Sequence, residues 1–417
     1  MQNKSDKKEL KYNTIALMII QILNYVLPFI TLPYISRIFE VEKLGIIFFA
    51  LVIMDYFWRF IMFGFDFSAV RQLAIHSNSQ KQVNLIFNSV LISQIMFLIL
   101  GFIILGGIIY FIPKFRGDWL IYIFTYVLIC GRILTLTWFY QGMAKMKFTT
   151  IVNVTAKAIS LILIFACIRK ADDYILYPII NAAGMVVAAI VSLWFAKNNF
   201  KIKFYIPKFK TIWKTLKYSS SFFMTKVAIA LYRQTNAFII GIVCTSVAVA
   251  YYVAADTIFW GVIALYGTFI NALFPYMSKN KDLKFFKKML KYLIILAVGA
   301  SIVLLISSKL LILLFYSEKY MDSIKILQIF SLSFACYVFV DTLGFPLLGA
   351  FGYVKETNSG YIIGGIYNII GLGILYLSNH INIYSVAILV SSTYLVMFLH
   401  RLYYIHKYKL LSAKEVA

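Results

Sequence analysis

The chain has 417 residues, 62% of them hydrophobic and only 13% charged, with a formal net charge of +24 at pH 7. Soluble domains carry about twice that share of charge and roughly 45–50% apolar residues, so the composition excludes a water-soluble globular protein. The excess of Lys and Arg does not point to nucleic acid, because these residues sit in short segments between apolar runs rather than on an aqueous domain.

A membrane-spanning helix needs about 20 mainly apolar residues. In chain order such runs are Asn13–Ile35, Leu44–Phe67, Val83–Ile112, Trp119–Gln141, Thr149–Ile168 and Tyr174–Ala196. After a basic linker come Tyr218–Ile242, Val247–Pro275, Met289–Phe315, Ile324–Gly349, Thr357–Leu377 and Ile383–Ile405. The fold class expected is therefore an all-α integral membrane protein of about twelve transmembrane helices. The polar start Met1–Lys11 is followed by an apolar run without a small-residue cleavage site, so that run reads as the first span and not as a cleaved signal.

Twelve spans put both termini on one side. With that side cytoplasmic, the inner segments hold 24 Lys and Arg against seven in the outer loops, a firm positive-inside bias. The longest connection is also on the inner side. It carries Lys197, Lys201, Lys203, Lys208, Lys210, Lys214 and Lys217, and it divides the chain into an N-terminal lobe (1–200), a basic linker (201–216) and a C-terminal lobe (217–417) of six helices each. EKLGIIFFA opening the second span and VAVAYYVAADTI opening the eighth give a faint internal echo, as a parallel repeat would.

Ionisable residues inside spans are functional candidates, since each costs about 2.5–3.5 kcal/mol to insert. Asp55 and Arg59 share a face of the second span; Arg132 lies in the fourth, Lys157 in the fifth, Lys226 and Arg233 in the seventh, Asp256 in the eighth and Asp341 in the tenth. Five bases facing lipid would cost on the order of 12–18 kcal/mol, so the helices are expected to enclose them around a central cationic cavity. Such a cavity suits phosphate or pyrophosphate, which Arg grips with a bidentate fork and Lys as a point charge. Asp55–Arg59 also reads as a self-neutralising ion pair, and Lys157 and Lys226 also read as side chains reaching for the interface. Arg132 and Arg233 have no acid within a turn of their own helix and carry the ligand reading furthest; pairing across helices with Asp256 or Asp341 is the structural alternative. Asp256 and Asp341 are candidates for H⁺ or Na⁺ coupling, the only cofactor-like requirement expected. Asp66 and Arg71 read as a helix-end anchor or gating pair. Pro28, Pro33 and Pro346 are expected to interrupt the first and tenth spans. Cys130, Cys167, Cys244 and Cys336 are scattered through apolar runs and the histidines lack ligand spacing, so neither disulfides nor a metal site is expected.

LNYVLPFITLPYISRIF (Leu23–Phe39), FGFDFSAVRQLA (Phe63–Ala74), WFYQGMAKMK (Trp138–Lys147), QTNAFIIG (Gln234–Gly241), NALFPYMSK (Asn271–Lys279) and LLGAFGYVKETN (Leu347–Asn358) occur in order along the chain. Together they resemble bacterial polysaccharide exporters of the Wzx flippase type, within the multidrug/oligosaccharidyl-lipid/polysaccharide exporter superfamily. The chain departs from the family pattern at Asp66 (Asn is common), Ala144 (an acid is common) and Asn236–Ala237 (Asp is frequent), which puts acid-based ion coupling in the seventh span in doubt. The resemblance implies two six-helix lobes that rock about a central cavity. It also implies an undecaprenyl-pyrophosphate-linked oligosaccharide repeat unit as substrate, such as O-antigen. The setting implied is the bacterial inner membrane, with membrane lipids, a polysaccharide polymerase and a chain-length regulator as partners. Two other classes compete. A cation-coupled drug antiporter of the same superfamily needs an acidic or aromatic cavity. A membrane polymerase or ligase needs a place outside the bilayer to assemble its chemistry, and the short outer loops, with a single His380, offer little.

Overall fold

A computed structural model describes residues 29–411, without the side chains of 224–232, 268, 271 and 272. All regular elements among these residues are helical. Ten helices are long and apolar enough to cross a membrane, and they coincide with ten of the twelve runs expected. The first run lies mostly outside the described residues. The seventh is broken at Gln234, so a count of twelve is not reached among the residues described. The chain divides into two compact units between Val227 and Ala228.

The described part of the first unit contains α1 (helical over 29–38), α2 (Val41–Met62), α3 (Phe65–His76), α4 (Gln80–Phe111), α5 (Trp119–Leu134), α6 (Thr137–Gly142), α7 (Met146–Cys167), α8 (Leu176–Asn198) and the start of α9 (Phe209–Arg233). α5 packs between α8 and α2, α7 lies on α8, and α3 is wedged between α4 and α6. Small residues on α8 (Gly184, Ala188, Ala189 and Ser192) are buried, which lets helices approach closely where no hydrophobic force separates protein from lipid. The face of α4 away from the unit exposes Ile99, Phe102, Ile103 and Ile104; in hydrocarbon such a face costs nothing.

Two spans of this unit are discontinuous. α2 ends where Phe63 and Gly64 both adopt left-handed backbone (φ 42° and 76°). Gly64 is required twice over, because a Cβ there would also meet the Phe223 backbone nitrogen at 2.8 Å. The second break separates α5 from α6, where Leu136 takes φ 52°. A break inside a bilayer must re-satisfy its freed carbonyls. Thr135 Oγ1 donates to the Arg132 carbonyl at 2.7 Å, and Ser192 Oγ donates to the Thr135 carbonyl at 2.8 Å. Below the break, Trp138, Phe139 and Tyr140 plug an aromatic core with Phe87, Phe148 and Phe200. The Tyr140 hydroxyl donates to the Ser192 carbonyl at 2.6 Å. The WFYQG segment is therefore packing material in this fold.

The linker after α8 belongs to the same unit. Asn88 Nδ2 donates to the Lys203 carbonyl at 2.8 Å, its Oδ1 accepts from the Tyr205 amide at 3.1 Å, and Ser68 and Ser219 share a buried hydrogen bond of 2.7 Å.

The described part of the second unit contains α10 (Thr235–Val243), α11 (Ser246–Asn280), α12 (Leu283–Phe315), α13 (Asp322–Leu343), α14 (Val354–Leu377) and α15 (Ile383–Lys407). Side-chain caps start three of them: Thr245 Oγ1 accepts from the Ala248 amide, Asp282 Oδ1 from the Phe285 amide, and Asn382 forms a reciprocal box with Ser385. α13 is the central helix, packed by α11, α12 and α15, while α14 lies on α15. α12 shows lipid one face of Ile302, Val303, Ile306 and Leu310 and keeps Ala297, Leu304 and Ile312 inside. After α13 the chain widens into a π-helical turn, Gly344–Gly349, which contains Pro346. The interruption expected at Pro346 takes this form, because proline cannot donate the regular hydrogen bond. Pro33 differs from expectation: the chain stays helical across it, and its carbonyl accepts from Arg37 Nη1 at 2.6 Å. Pro28 lies outside the described residues.

Candidate functional site

In the first unit the intramembrane charges gather around one indole. Asp55, Trp58 and Arg59 lie within four residues on α2, and Arg59 Nε donates to Asp55 Oδ2 at 2.8 Å. The ion-pair reading of that couple is the one this geometry satisfies. Arg132 comes from the last turn of α5, just before the helix break, where the negative end of the helix dipole favours a cation. Its guanidinium carbon stands 4.1 Å from the Trp58 ring centroid, and that of Arg59 stands 5.7 Å from the same ring. Arg132 is nevertheless exposed. The guanidinium thus sits over the indole face, and a guanidinium so placed can still offer N–H groups to an anion. Lys157 of α7 lies within electrostatic range of Arg132, as do Asp55 and Arg59. Three cations against one carboxylate make this group net positive.

The second unit repeats the stack with a different balance. Arg233 ends α9 at the break before α10, and its guanidinium carbon lies 3.9 Å from the Trp260 ring centroid. Trp260 Nε1 donates to Asp256 Oδ1 one turn back on α11, at 3.1 Å. The indole thus bridges a base stacked on its face and an acid bonded at its edge, and Asp256 is within electrostatic range of Arg233. Like Arg132, Arg233 is exposed. Tyr337 of α13 meets the Trp260 ring edge-on at 5.1 Å.

Asp341 lies one turn beyond Tyr337. It accepts from the Tyr361 hydroxyl of α14 at 2.9 Å and also from Tyr337. Behind it sits a residue the sequence reading did not single out. Arg401 of α15 is fully buried, donates through Nη1 to the Glu356 carbonyl at 2.8 Å, and lies with its guanidinium carbon 5.0 Å from the Tyr361 ring. Gly360 makes room for it, since a Cβ there would meet Arg401 Nη1 at 2.9 Å. Arg401 stands near the end of the twelfth run, where a base reads as a helix-end residue. Its burial follows from packing against α14, which periodicity does not reveal.

Both carboxylates have partners: Asp256 is held by an indole N–H and Asp341 by tyrosine hydroxyls. Counting Arg401, the second unit sets two arginines against two aspartates, so the positive excess is concentrated in the first unit. Trp58 and Trp260 were also missed, although Trp58 adjoins Arg59 and Trp260 follows Asp256 by one turn. The Lys226 side chain lies outside the described residues. Asp66 sits in the first turn of α3, where the helix dipole stabilises a carboxylate, and Arg71 is exposed further along that helix.

The polysaccharide biosynthesis protein family matches residues 10–281 of this sequence. The chain belongs to that family. It is 24% identical over 373 residues to a protein of Escherichia coli (strain K12) titled "Putative O-antigen transporter", covering 88% of this chain and 90% of that one. A Shigella dysenteriae protein with the same title is 25% identical over 364 residues, covering 87% and 91% of the two chains. Among solved structures, the lipid II flippase MurJ in an inward closed conformation superposes with a TM-score of 0.72 at 17% identity, covering 95% of this chain and 87% of that one. An inward-facing multidrug resistance MATE family transporter of the MOP superfamily gives a TM-score of 0.66 at 13% identity, covering 96% and 100%. The fold is therefore the one these transporters share, two helical lobes with no strand among the described residues.

Proposed function

We propose that this family member is a flippase that carries an undecaprenyl-pyrophosphate-linked oligosaccharide repeat unit, of O-antigen or a similar surface polysaccharide, from the cytoplasmic to the outer leaflet of the bacterial inner membrane. The observation that carries this reading is the pair of exposed arginines at helix breaks, Arg132 and Arg233, each stacked on a tryptophan. A planar guanidinium held by its face offers two parallel N–H bonds to a pyrophosphate oxygen pair, and the neighbouring indole offers a surface for a sugar ring. Each unit contributes one such station. The more cationic first station, with Arg59 and Lys157, takes the pyrophosphate more tightly than the charge-balanced second.

Transport, not catalysis, follows from this arrangement. The sugar cannot cross hydrocarbon unaided, because each buried hydroxyl without a partner costs several kcal/mol; a polar path past the stations removes that barrier while the lipid tail stays in the bilayer. Alternating access of lobes 1–200 and 217–417, with both termini cytoplasmic, is the motion proposed. Delivery to a polymerase and its chain-length regulator is the proposed next step. Asp256 and Asp341 are the proposed coupling groups for H⁺ or Na⁺, with Lys226 a further base along the path. A drug antiporter of the same superfamily is the weaker reading, since three cations against one acid in the first unit repel an organic cation.

The deciding experiment is complementation of a flippase-null strain. Arg132→Ala and Arg233→Ala are expected to insert at wild-type levels and to lose most surface polysaccharide. Wild-type polysaccharide from the double variant would remove the anion stations from the mechanism.

A further inference from the structure

We propose that a pocket at the basic end of the first unit, lined by none of the arginine-station residues, binds the phosphate headgroup of an anionic membrane lipid. The pocket has a volume of about 300 Å³ and is walled by three helices. α3 contributes Gln72 and His76, one turn apart. α4 contributes a stripe from Gln82 to Ser89, and α9 contributes Thr211, Lys214, Thr215 and Tyr218. These are i, i+3, i+4, i+7 spacings, so each helix presents one continuous face.

The lining and the chain around it favour an anion. Lys214 and His76 bring cationic or protonatable groups, and Gln72, Gln82 and Tyr218 bring neutral donors. The first turns of α4 and α9 both reach the wall, at Gln82 and Thr211, adding the positive ends of two helix dipoles. No Asp or Glu occurs between Asp66 and Asp118, or between Asp173 and Asp256, which together span nearly all of the pocket's elements. The nearest acid in sequence is Asp66, six residues before Gln72 at the far end of α3. Lys208, Lys210 and Lys217 surround Lys214 without a counter-ion on their own segment.

What marks the anion as a lipid is the exposed apolar surface on the segments that wall the pocket. Ile75 of α3, Ile206 before α9, and Phe209 and Trp213 on α9 are all exposed, at 65%, 80%, 69% and 60%. Phe209 and Trp213 project from the face of α9 opposite its lining residues; such side chains are out of place in water and set the helices that wall the pocket at the hydrocarbon edge, with Trp213 at the interfacial level. Basic pockets between helices on the cytoplasmic side hold anionic headgroups in just this way. The site is independent of the transport reading.

The test uses the full chain in nanodiscs. Native mass spectrometry counts retained phosphatidylglycerol against phosphatidylcholine for the wild type, Lys214→Gln, and Lys288→Gln as a control on an exposed lysine of the second unit. Lys214→Gln is expected to lower phosphatidylglycerol retention about fivefold, with Lys288→Gln unchanged and inorganic phosphate or glycerol phosphate failing to compete at equal concentration. Equal retention by the two variants would overturn the site. Displacement of the lipid by inorganic phosphate would overturn the lipid assignment in favour of a free phosphate compound.

Discussion

Arg132 and Trp58 are 74 residues apart, yet the guanidinium carbon lies 4.1 Å from the indole centroid, and the proposed anion binding of the first unit rests on that contact. A cation–π contact contributes about 0.5–2 kcal/mol depending on desolvation. Trp58→Ala is therefore expected to weaken binding of a pyrophosphate lipid about two- to thirtyfold, with charge unchanged, as measured on purified protein. Arg132→Lys keeps the charge but loses the fork, so it should bind the same lipid more weakly than wild type and more tightly than Arg132→Ala. If Lys and Arg proved equivalent there, the site would be a point-charge trap rather than a bidentate clamp. The basic residues themselves were legible in the sequence, because a charge in an apolar run stands out. Their aromatic partners were not, since in a chain with 37 Phe and 30 Tyr an aromatic residue carries no contrast. Arg401 escaped for a related reason: a base near a helix end reads as interfacial until the packing of α14 on α15 is known.

The helices themselves were legible to within a few residues, whereas their interruptions were not. Hydropathy averages over a window longer than the breaks at Phe63–Gly64, Thr135–Leu136 and Gln234, and around Thr135–Leu136 the flanking residues are apolar on both sides. What supports these breaks is specific polar chemistry. Ser192→Ala would leave the Thr135 carbonyl without its Oγ donor, an expected loss of about 1–3 kcal/mol, readable as a lowered melting temperature in detergent. Gly64→Val combines a left-handed backbone with a clash against Phe223, and is expected to destabilise more strongly than Ser192→Ala. A Gly64→Val protein as stable as wild type would mean that α2 and α3 can realign as one helix.

Over the whole molecule, the two units share a plan but differ in charge: an arginine–tryptophan station in each, cationic in the first and balanced in the second. On the proposed mechanism the two stations would hold an anion with unequal strength, and a protonatable or Na⁺-binding acid in the weaker one would give the cycle a means of release. Flipping by reconstituted protein is expected to respond to an imposed H⁺ or Na⁺ gradient, and Asp341→Asn to abolish that response while leaving lipid binding intact. Rates indifferent to both gradients would remove Asp256 and Asp341 from energy coupling. The superfamily fold could be anticipated from the ordered segments along the chain, because they mark span ends and breaks that the architecture itself imposes.

The helix that ends at Arg233 has a consequence for biosynthesis. α9 carries Lys210, Lys214, Lys217, Lys226 and Arg233 along with a run of serines, and a base opposes insertion by about 2.5–3.5 kcal/mol at a helix centre and by less toward its ends. Emerging alone from the ribosome, this segment is a poor stop-transfer signal. Its entry into the bilayer is expected to wait for α10 and α11, where Trp260 lies against the arginine, so that the second unit would acquire its orientation late and as a group. In an insertion reporter, residues 209–245 alone should remain largely untranslocated, and extension to residue 280 should rescue them.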